Sequence, residues 1–152
     1  MSDCCSSKRP PRKAECPDCR QVQKATTRQT LLHHVISPVN RSIPESHFYF
    51  CANADCETVY FSDCGCLYRQ DQVRGAIGQK QTSTERTICY CFDVTERHVL
   101  DELEHTGHSA SKSFVTAQTK AKLCACETQN PSGQCCLADF SLLLKKAMKN
   151  GI

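Results

Sequence analysis

Apolar residues in this chain come in short runs separated by polar turns, and the period of those runs lengthens near residue 90. From Cys16 to about Tyr68 the runs are brief, aromatic and β-branched, as half-buried strands require. Thr30–Ile36, His47–Cys51 and Thr58–Phe61 read as strands, the first closed by Ser37-Pro38. Residues 69–87 are polar and hold two glycines. Val73 and Ile77 are candidates for one last strand there, and the remainder reads as linker. After Cys91 the pattern turns helical. Phe92–His105 sets Val99, Leu100 and Leu103 on one face, with Thr95 as N-cap and Gly107 past the C-terminus. Cys136–Met148 repeats this with Leu137, Phe140, Leu144 and Met148, and lysines close its last turns. Ser113–Lys122 reads as a short helix or a loop. The predicted fold is α+β. A disordered leader covers 1–14, a small β-rich domain 15–80 and a small helical domain 81–152.

Composition says what must hold such domains together. Leu, Ile, Val and Phe supply only 29 of the 152 residues, a thin stock for two hydrophobic cores. Small domains of this kind are usually stapled by disulfides or metals, and here the chain has 14 cysteines. Several stand in Cys-x-Cys pairs: Cys64-Gly-Cys66, Cys89-Tyr-Cys91 and Cys124-Ala-Cys126. Thiolates so spaced on a loop converge readily on one ion and are poorly placed to bond each other. The N-terminus has no apolar run of a secretory signal, and no stretch approaches the roughly 18 residues of a membrane span. The expectation is therefore a cytoplasmic chain with no membrane insertion, whose thiols stay reduced and act as metal ligands. A net charge of +3 is too small for a nucleic-acid surface, and Lys8, Arg9, Arg12 and Lys13 read as a solvated basic tail.

Spacing divides the cysteines. Cys16-Pro-Asp-Cys19 has the spacing of a zinc knuckle, and Cys51 and Cys56, with four residues between them, supply a second pair. Four thiolates around a redox-inert ion make a closed structural zinc site. His33, His34 and His47 lie near enough in sequence to substitute for a thiolate, but read as ordinary strand residues. Cys89-x-Cys91, then 34 residues to Cys126 and nine more to Cys136, is a spacing that can hold a [2Fe–2S] rhomb, two thiolates per iron. Cys124 and Cys135 stand beside two of these and can exchange roles with them. No catalytic triad, phosphate-binding loop or dinucleotide motif is present, so the chain is expected to be no enzyme.

Cys16-Pro-Asp-Cys19, Phe48-Tyr-Phe-Cys51, Cys56-Glu-Thr-Val-Tyr-Phe61, Cys89-Tyr-Cys91-Phe-Asp-Val-Thr-Glu96 and Asn130-Pro-Ser-Gly-Gln-Cys-Cys136 together carry a resemblance. Over about residues 15–148 the chain resembles the N-terminal half of CopZ-type copper chaperones. That half joins a zinc-binding domain to a domain similar to bacterioferritin-associated ferredoxin (BFD-like). The resemblance implies zinc at Cys16, Cys19, Cys51 and Cys56, and a [2Fe–2S] cluster at Cys89, Cys91, Cys126 and Cys136. The family continues into a domain with a Met-x-Cys-x-x-Cys loop for Cu(I), whereas this sequence stops at Ile152 with only Met1 and Met148. Six cysteines are left over: Cys4, Cys5, Cys64, Cys66, Cys124 and Cys135. Of these, Cys64, Cys66, Cys124 and Cys135 are the main auxiliary candidates for a soft ion such as Cu(I). The function expected is copper or other soft-metal handling by one-electron transfer and metal transfer. Its partners would be metal ions and a metal-transporting ATPase or a separate heavy-metal-associated protein. The alternatives are a BFD-type ferredoxin that docks on a larger partner with no copper role, and a zinc-ribbon nucleic-acid binder.

Overall fold

The computed structural model describes residues 10–151. Cys4, Cys5 and most of the expected leader therefore lie outside the described residues. Its main sheet is antiparallel, with five strands in sequential order: β1 (Lys13–Glu15), β2 (Val22–Thr26), β3 (Phe48–Phe50), β4 (Thr58–Ser62) and β5 (Leu67–Arg69). The first strand falls inside the stretch read as leader, because Lys13 and Ala14 pair with Lys24 and Gln23. The Tyr49 hydroxyl also donates to the Pro11 carbonyl and ties that segment down.

The two faces of the sheet bury different things, as strand alternation demands. Phe48, Phe50 and Tyr60 pack on Leu31, Val35 and Ile43. Tyr49 and Phe61, opposite one another in register, stack at 5.3 Å on the other face, among Cys16, Cys51 and Cys56.

Leu31 belongs to a helix, α1 (Arg28–His34), where a strand was predicted, and Val35 is its C-cap. The local cause is Thr27, whose hydroxyl accepts from the Thr30 N–H and caps the helix. Thr30 and Leu31, with Val35 four residues after Leu31, then turn to one side, all fully buried. A β-branched, apolar run satisfied both periods, and the cap decided between them.

Residues 69–87 form no loose linker. Val73 bridges to Val35, Ile77 enters the sheet-side core, and Lys80 is 93% inaccessible by its 7% exposure. The last strand of the sheet is β5, not the Val73–Ile77 stretch.

A second apolar cluster begins at Ile88. The short hairpin β6 (Thr87–Cys89) and β7 (Val94–Thr95) leads into α2 (Glu96–Thr106), capped by Thr95 and ended by Gly107 in the left-handed conformation, as expected. Three helices follow: α3 (Ala110–Lys120), α4 (Cys126–Gln129) and α5 (Leu137–Lys149). The ambiguous 113–122 segment is thus helical, with Ser109 as its N-cap. On α5 the buried positions are Phe140, Leu143 and Ala147, while Met148 is 74% exposed. The burial stripe is rotated from the one predicted, with small Ala147 on the buried face and Met148 off it.

The halves meet where α1 lies against α4 and the Asn130–Gly133 turn. The Thr30 hydroxyl donates to the Glu127 carbonyl at 2.6 Å, and Gln134 Nε2 to the Ala25 carbonyl at 2.9 Å. The Tyr60 hydroxyl donates to the Pro131 carbonyl. Gly133 sits so close that a Cβ there would lie 2.6 Å from the Thr26 hydroxyl and 2.7 Å from that of Thr30. His34 is mostly buried at this joint; desolvation holds its imidazole below the usual 6.5, partly offset by a hydrogen bond to the Thr128 backbone.

Two outcomes are expected. Thr30→Val keeps the shape but strands the Glu127 carbonyl, costing about 1–3 kcal/mol in denaturant unfolding. Because the folded state holds His34 neutral and the unfolded state protonates it near 6.5, stability present above that pH falls on acidification through 6.5 and levels off below the folded-state value. Unfolding curves from pH 8 to 5, compared with His34→Phe, measure it; an equal pH slope in both proteins removes His34 as the cause.

Candidate metal centres

Two turns build the first centre. Cys16 and Cys19 flank a tight reversal in which the Arg20 N–H donates to the Cys16 carbonyl and the Cys16 N–H to that of Gln21. Arg20 takes positive φ to complete it. Cys51 directly follows β3, its N–H donating to the Val59 carbonyl, and Cys56 closes the loop back to β4. These turns bring all four sulfurs within 4.8 Å of one another, with Cys16, Cys51 and Cys56 buried and Cys19 half-buried. Cys16 to Cys56 is 3.9 Å and Cys19 to Cys51 is 3.7 Å. A tetrahedron of sulfurs about 2.3 Å from a zinc ion has an edge of about 3.8 Å, so the donor set fits that ion in kind and in size. No histidine shares the site. His47, a candidate substitute, has Nδ1 2.8 Å from Asp63 Oδ2 instead.

The thiols respond unevenly to their surroundings. Burial pushes Cys51 up, against the Asn53 N–H and the Lys80 ammonium, and burial likewise raises Cys16. Burial also acts to raise Cys19, but the Gln21 N–H, the Asn53 side chain and the neighbouring sulfurs together bring it down to about 7.

Two residues that motif spacing could not identify support this centre. Lys80 Nζ donates to the Asn53 and Cys56 carbonyls, 2.8 Å each, placing a buried cation beside four thiolates. Four thiolates around a divalent ion leave about two negative charges, and Lys80 offsets part of them. Gln23 Nε2 reaches Cys51 Sγ at 3.6 Å while its Oε1 accepts from the Ala52 N–H. Gln23 alternates inward on β2, a signal legible in hindsight; Lys80 lies in the polar stretch read as linker.

The second set of cysteines is arranged in pairs rather than as a tetrad. Cys91 Sγ lies 3.7 Å from Cys126 Sγ. Cys89 and Cys136 are both buried. The Cys136 thiol is the largest influence on Cys89 and brings it down to about 6, while Cys136 is raised by Cys89 and by burial. Burial also raises Cys126, to about 12. The Ala125 N–H donates to Cys91 Sγ at 3.2 Å. Cys89 and Cys91 come from the β6–β7 turn, Cys126 opens α4, and Cys136 is the N-cap of α5. Among the neighbours considered as replacements, Cys124 is half-buried and Cys135 is exposed.

The remaining described pair, Cys64 and Cys66, sits on the β4–β5 turn with sulfurs 3.6 Å apart. The nearby Ser46 and Ser62 hydroxyls are the leading influences that lower Cys64 to about 7. His98, His105 and His108 are exposed and bond locally, to the Thr95 N–H, the Asp101 carbonyl and the Ser113 hydroxyl.

A family model described as a zinc binding domain, that of CopZ, matches residues 13–74, which contain the whole tetrad. The copper chaperone CopZ of Archaeoglobus fulgidus is 31% identical over 121 residues. The chain is a relative of CopZ. The match covers 80% of this chain, and it spans 57% of that protein's length. The X-ray structure of the A. fulgidus CopZ N-terminal domain superposes with a TM-score of 0.71 at 29% identity, covering 86% of this chain and 97% of that one. This CopZ relative therefore has the α+β fold expected of it, and its sheet half is a zinc-binding domain with a four-cysteine site. No helix among the described residues is long and apolar enough to cross a membrane.

If the tetrad staples the sheet, Cys56→Ser loses bound zinc and destabilises the sheet half by several kcal/mol, on the order of other structural zinc sites. Zinc analysis and hydrogen exchange of β1–β4 read this out. Unchanged protection after zinc removal would mean that the apolar core suffices alone.

Proposed function

We propose that this protein handles copper or a related soft metal, using a redox-active [2Fe–2S] cluster in its helical half and a structural zinc in its sheet half. The observation that carries the iron–sulfur reading is the 3.7 Å approach of Cys91 and Cys126, with the buried Cys89 and Cys136 each acting most strongly on the other. Two thiolates on one iron stand about 3.7 Å apart, and a two-iron rhomb needs four thiolates, two per iron. A single tetrad, as at the zinc site, would suit one ion.

A cluster bound there would supply reversible one-electron transfer, suited to reducing Cu(II) to Cu(I) with an external electron donor. The chain's own residues set the conditions. The Ala125 N–H donates to Cys91, and backbone N–H groups of Phe92 and Cys91 favour the Cys89 thiolate. Such donors stabilise negative charge on sulfur and ease reduction. Cys89 and Cys136 are buried, while Cys91 and Cys126 are half-buried, so one side of the site stays near the surface, where a partner's electron can enter. Nothing in the arrangement performs bond-breaking chemistry on a substrate, and the reading is of a non-enzymatic, cytoplasmic metal protein. Its delivery partner would be an ATPase or a heavy-metal-associated protein, a reading that similarity to a copper chaperone supports.

Anaerobic metal analysis with absorption and EPR spectra tests this. About two irons and one zinc per chain are expected, with a signal appearing on dithionite reduction. Cys91→Ser and Cys126→Ser should each lose iron and keep zinc, whereas Cys135→Ser keeps both. A colourless, iron-free protein sinks the cluster. A holo-protein with no Cu(I) affinity leaves a ferredoxin-like electron carrier.

A further inference from the structure

The β4–β5 hairpin carries two sulfurs that neither metal centre uses. Its tip is built tightly. The Gly65 N–H donates to the Ser62 carbonyl at 3.2 Å, the Ser62 N–H to the Cys66 carbonyl at 3.0 Å, and the Cys66 N–H to the Ser62 hydroxyl at 2.9 Å. Gly65 takes φ +90, which only glycine adopts freely, and this lets the chain reverse between the two cysteines. The outcome is that Cys64 Sγ and Cys66 Sγ lie 3.6 Å apart, far beyond the roughly 2.05 Å of a disulfide. It is close to the about 3.8 Å edge that two ligands of one sulfur-bound ion span.

The tip is also braced from outside. Ser46 Oγ donates to Asp63 Oδ1 at 2.6 Å, His47 Nδ1 lies 2.8 Å from Asp63 Oδ2, and the Asp63 N–H donates to the His47 carbonyl. The pair is therefore pre-organised before any ion arrives, which lowers the ordering cost of binding.

We infer that Cys64 and Cys66 form a surface two-thiolate site that takes a soft monovalent d10 cation of the Cu(I) class. The choice of ion rests on the soft-metal function proposed above; the site itself rests on the hairpin geometry. Two thiolates satisfy an ion content with low coordination numbers and leave a four-coordinate zinc half-dressed. Binding exchanges two thiol protons for one cation and leaves the site with a single negative charge. Cys64 is exposed and Cys66 half-buried, so the outer side of the ion would stay open. A thiolate from a delivery partner can enter there as a third ligand before the first two let go. The buried tetrad offers no such approach, which separates an exchange site from a structural one in the same half of the molecule.

The test uses the reduced, metal-loaded full chain under anaerobic conditions, with Cu(I) titrated against bicinchoninate. The wild-type protein is expected to withdraw about one equivalent of copper. The Cys64→Ser/Cys66→Ser double variant should bind it at least roughly 100-fold more weakly, with its zinc content and visible spectrum unchanged. Cys4→Ser/Cys5→Ser should bind as wild type. Independently of any variant, one equivalent of Cu(I) should protect Cys64 and Cys66 of the wild-type chain from iodoacetamide, read by mass spectrometry. Copper withdrawn while these two remain alkylated overturns the site and leaves the soft-metal function standing. No copper withdrawn at all overturns both.

Discussion

Four sulfurs confined within 4.8 Å of one another set the terms for the sheet half. Two come from the knuckle before β2 and two from the β3–β4 loop, so a metal among them links the N-terminal edge of the sheet to its centre. The tetrad and the stacked Tyr49–Phe61 pair occupy one face, and α1 covers the other. Neither layer is large. The side of the sheet that a second helix would cover in a richer sequence is closed by an ion, which suits a chain with so few aliphatic residues. The same confinement explains Lys80. Four thiolates brought together in a buried place carry excess negative charge, and an ammonium nearby that bonds two carbonyls of the Asn53–Cys56 loop both offsets it and fixes the loop.

That lysine also links the centre to the rest of the molecule. It sits in the segment that leads from the sheet to the β6–β7 hairpin, and just before it on that segment is a second anchor, Gly78, whose N–H donates to the Tyr90 hydroxyl at 2.6 Å. Tyr90 lies between Cys89 and Cys91. On the opposite side, α1 and Tyr60 hold α4 and the Asn130–Gly133 turn, which separate Cys126 from Cys136. Both loops that carry the paired thiols are thus seated on the sheet half. A small helical unit with three exposed large apolar side chains on α3 and α5 gains its loop order from its neighbour rather than from its own core.

Which parts of this were legible in the sequence follows from how local each determinant is. The knuckle, Phe48–Phe50, the Thr58–Ser62 strand, the Thr95 cap and the Gly107 stop are written in a few adjacent residues, and each was readable. The family motifs likewise led to the zinc-binding sheet half. Helix α1 was misread because Thr30–Ile36 is β-branched and apolar, and one cap bond from Thr27 outweighs that propensity. The 69–87 stretch was misread because its few apolar residues and Lys80 are buried by partners far along the chain, such as Val35 and the Asn53–Cys56 loop. The α5 stripe differs from the predicted one because Ala147 counts little on a hydrophobicity scale yet is buried, while apolar Met148 is exposed. Polar residues that become buried through distant contacts leave no periodic trace.

Exposure sorts the cysteines as clearly as spacing does. Three of the four tetrad sulfurs are buried; the paired set is half buried and half accessible; the hairpin pair opens to solvent at Cys64. A metal that must stay needs a closed shell, an electron that must pass needs one face near the surface, and an ion that must be handed on needs an open coordination position. Under the proposed function the three sets of thiols would meet these three requirements in turn. The same soft ligand would serve each, so the roles would be kept apart not by ligand type but by how far each turn is driven into the fold.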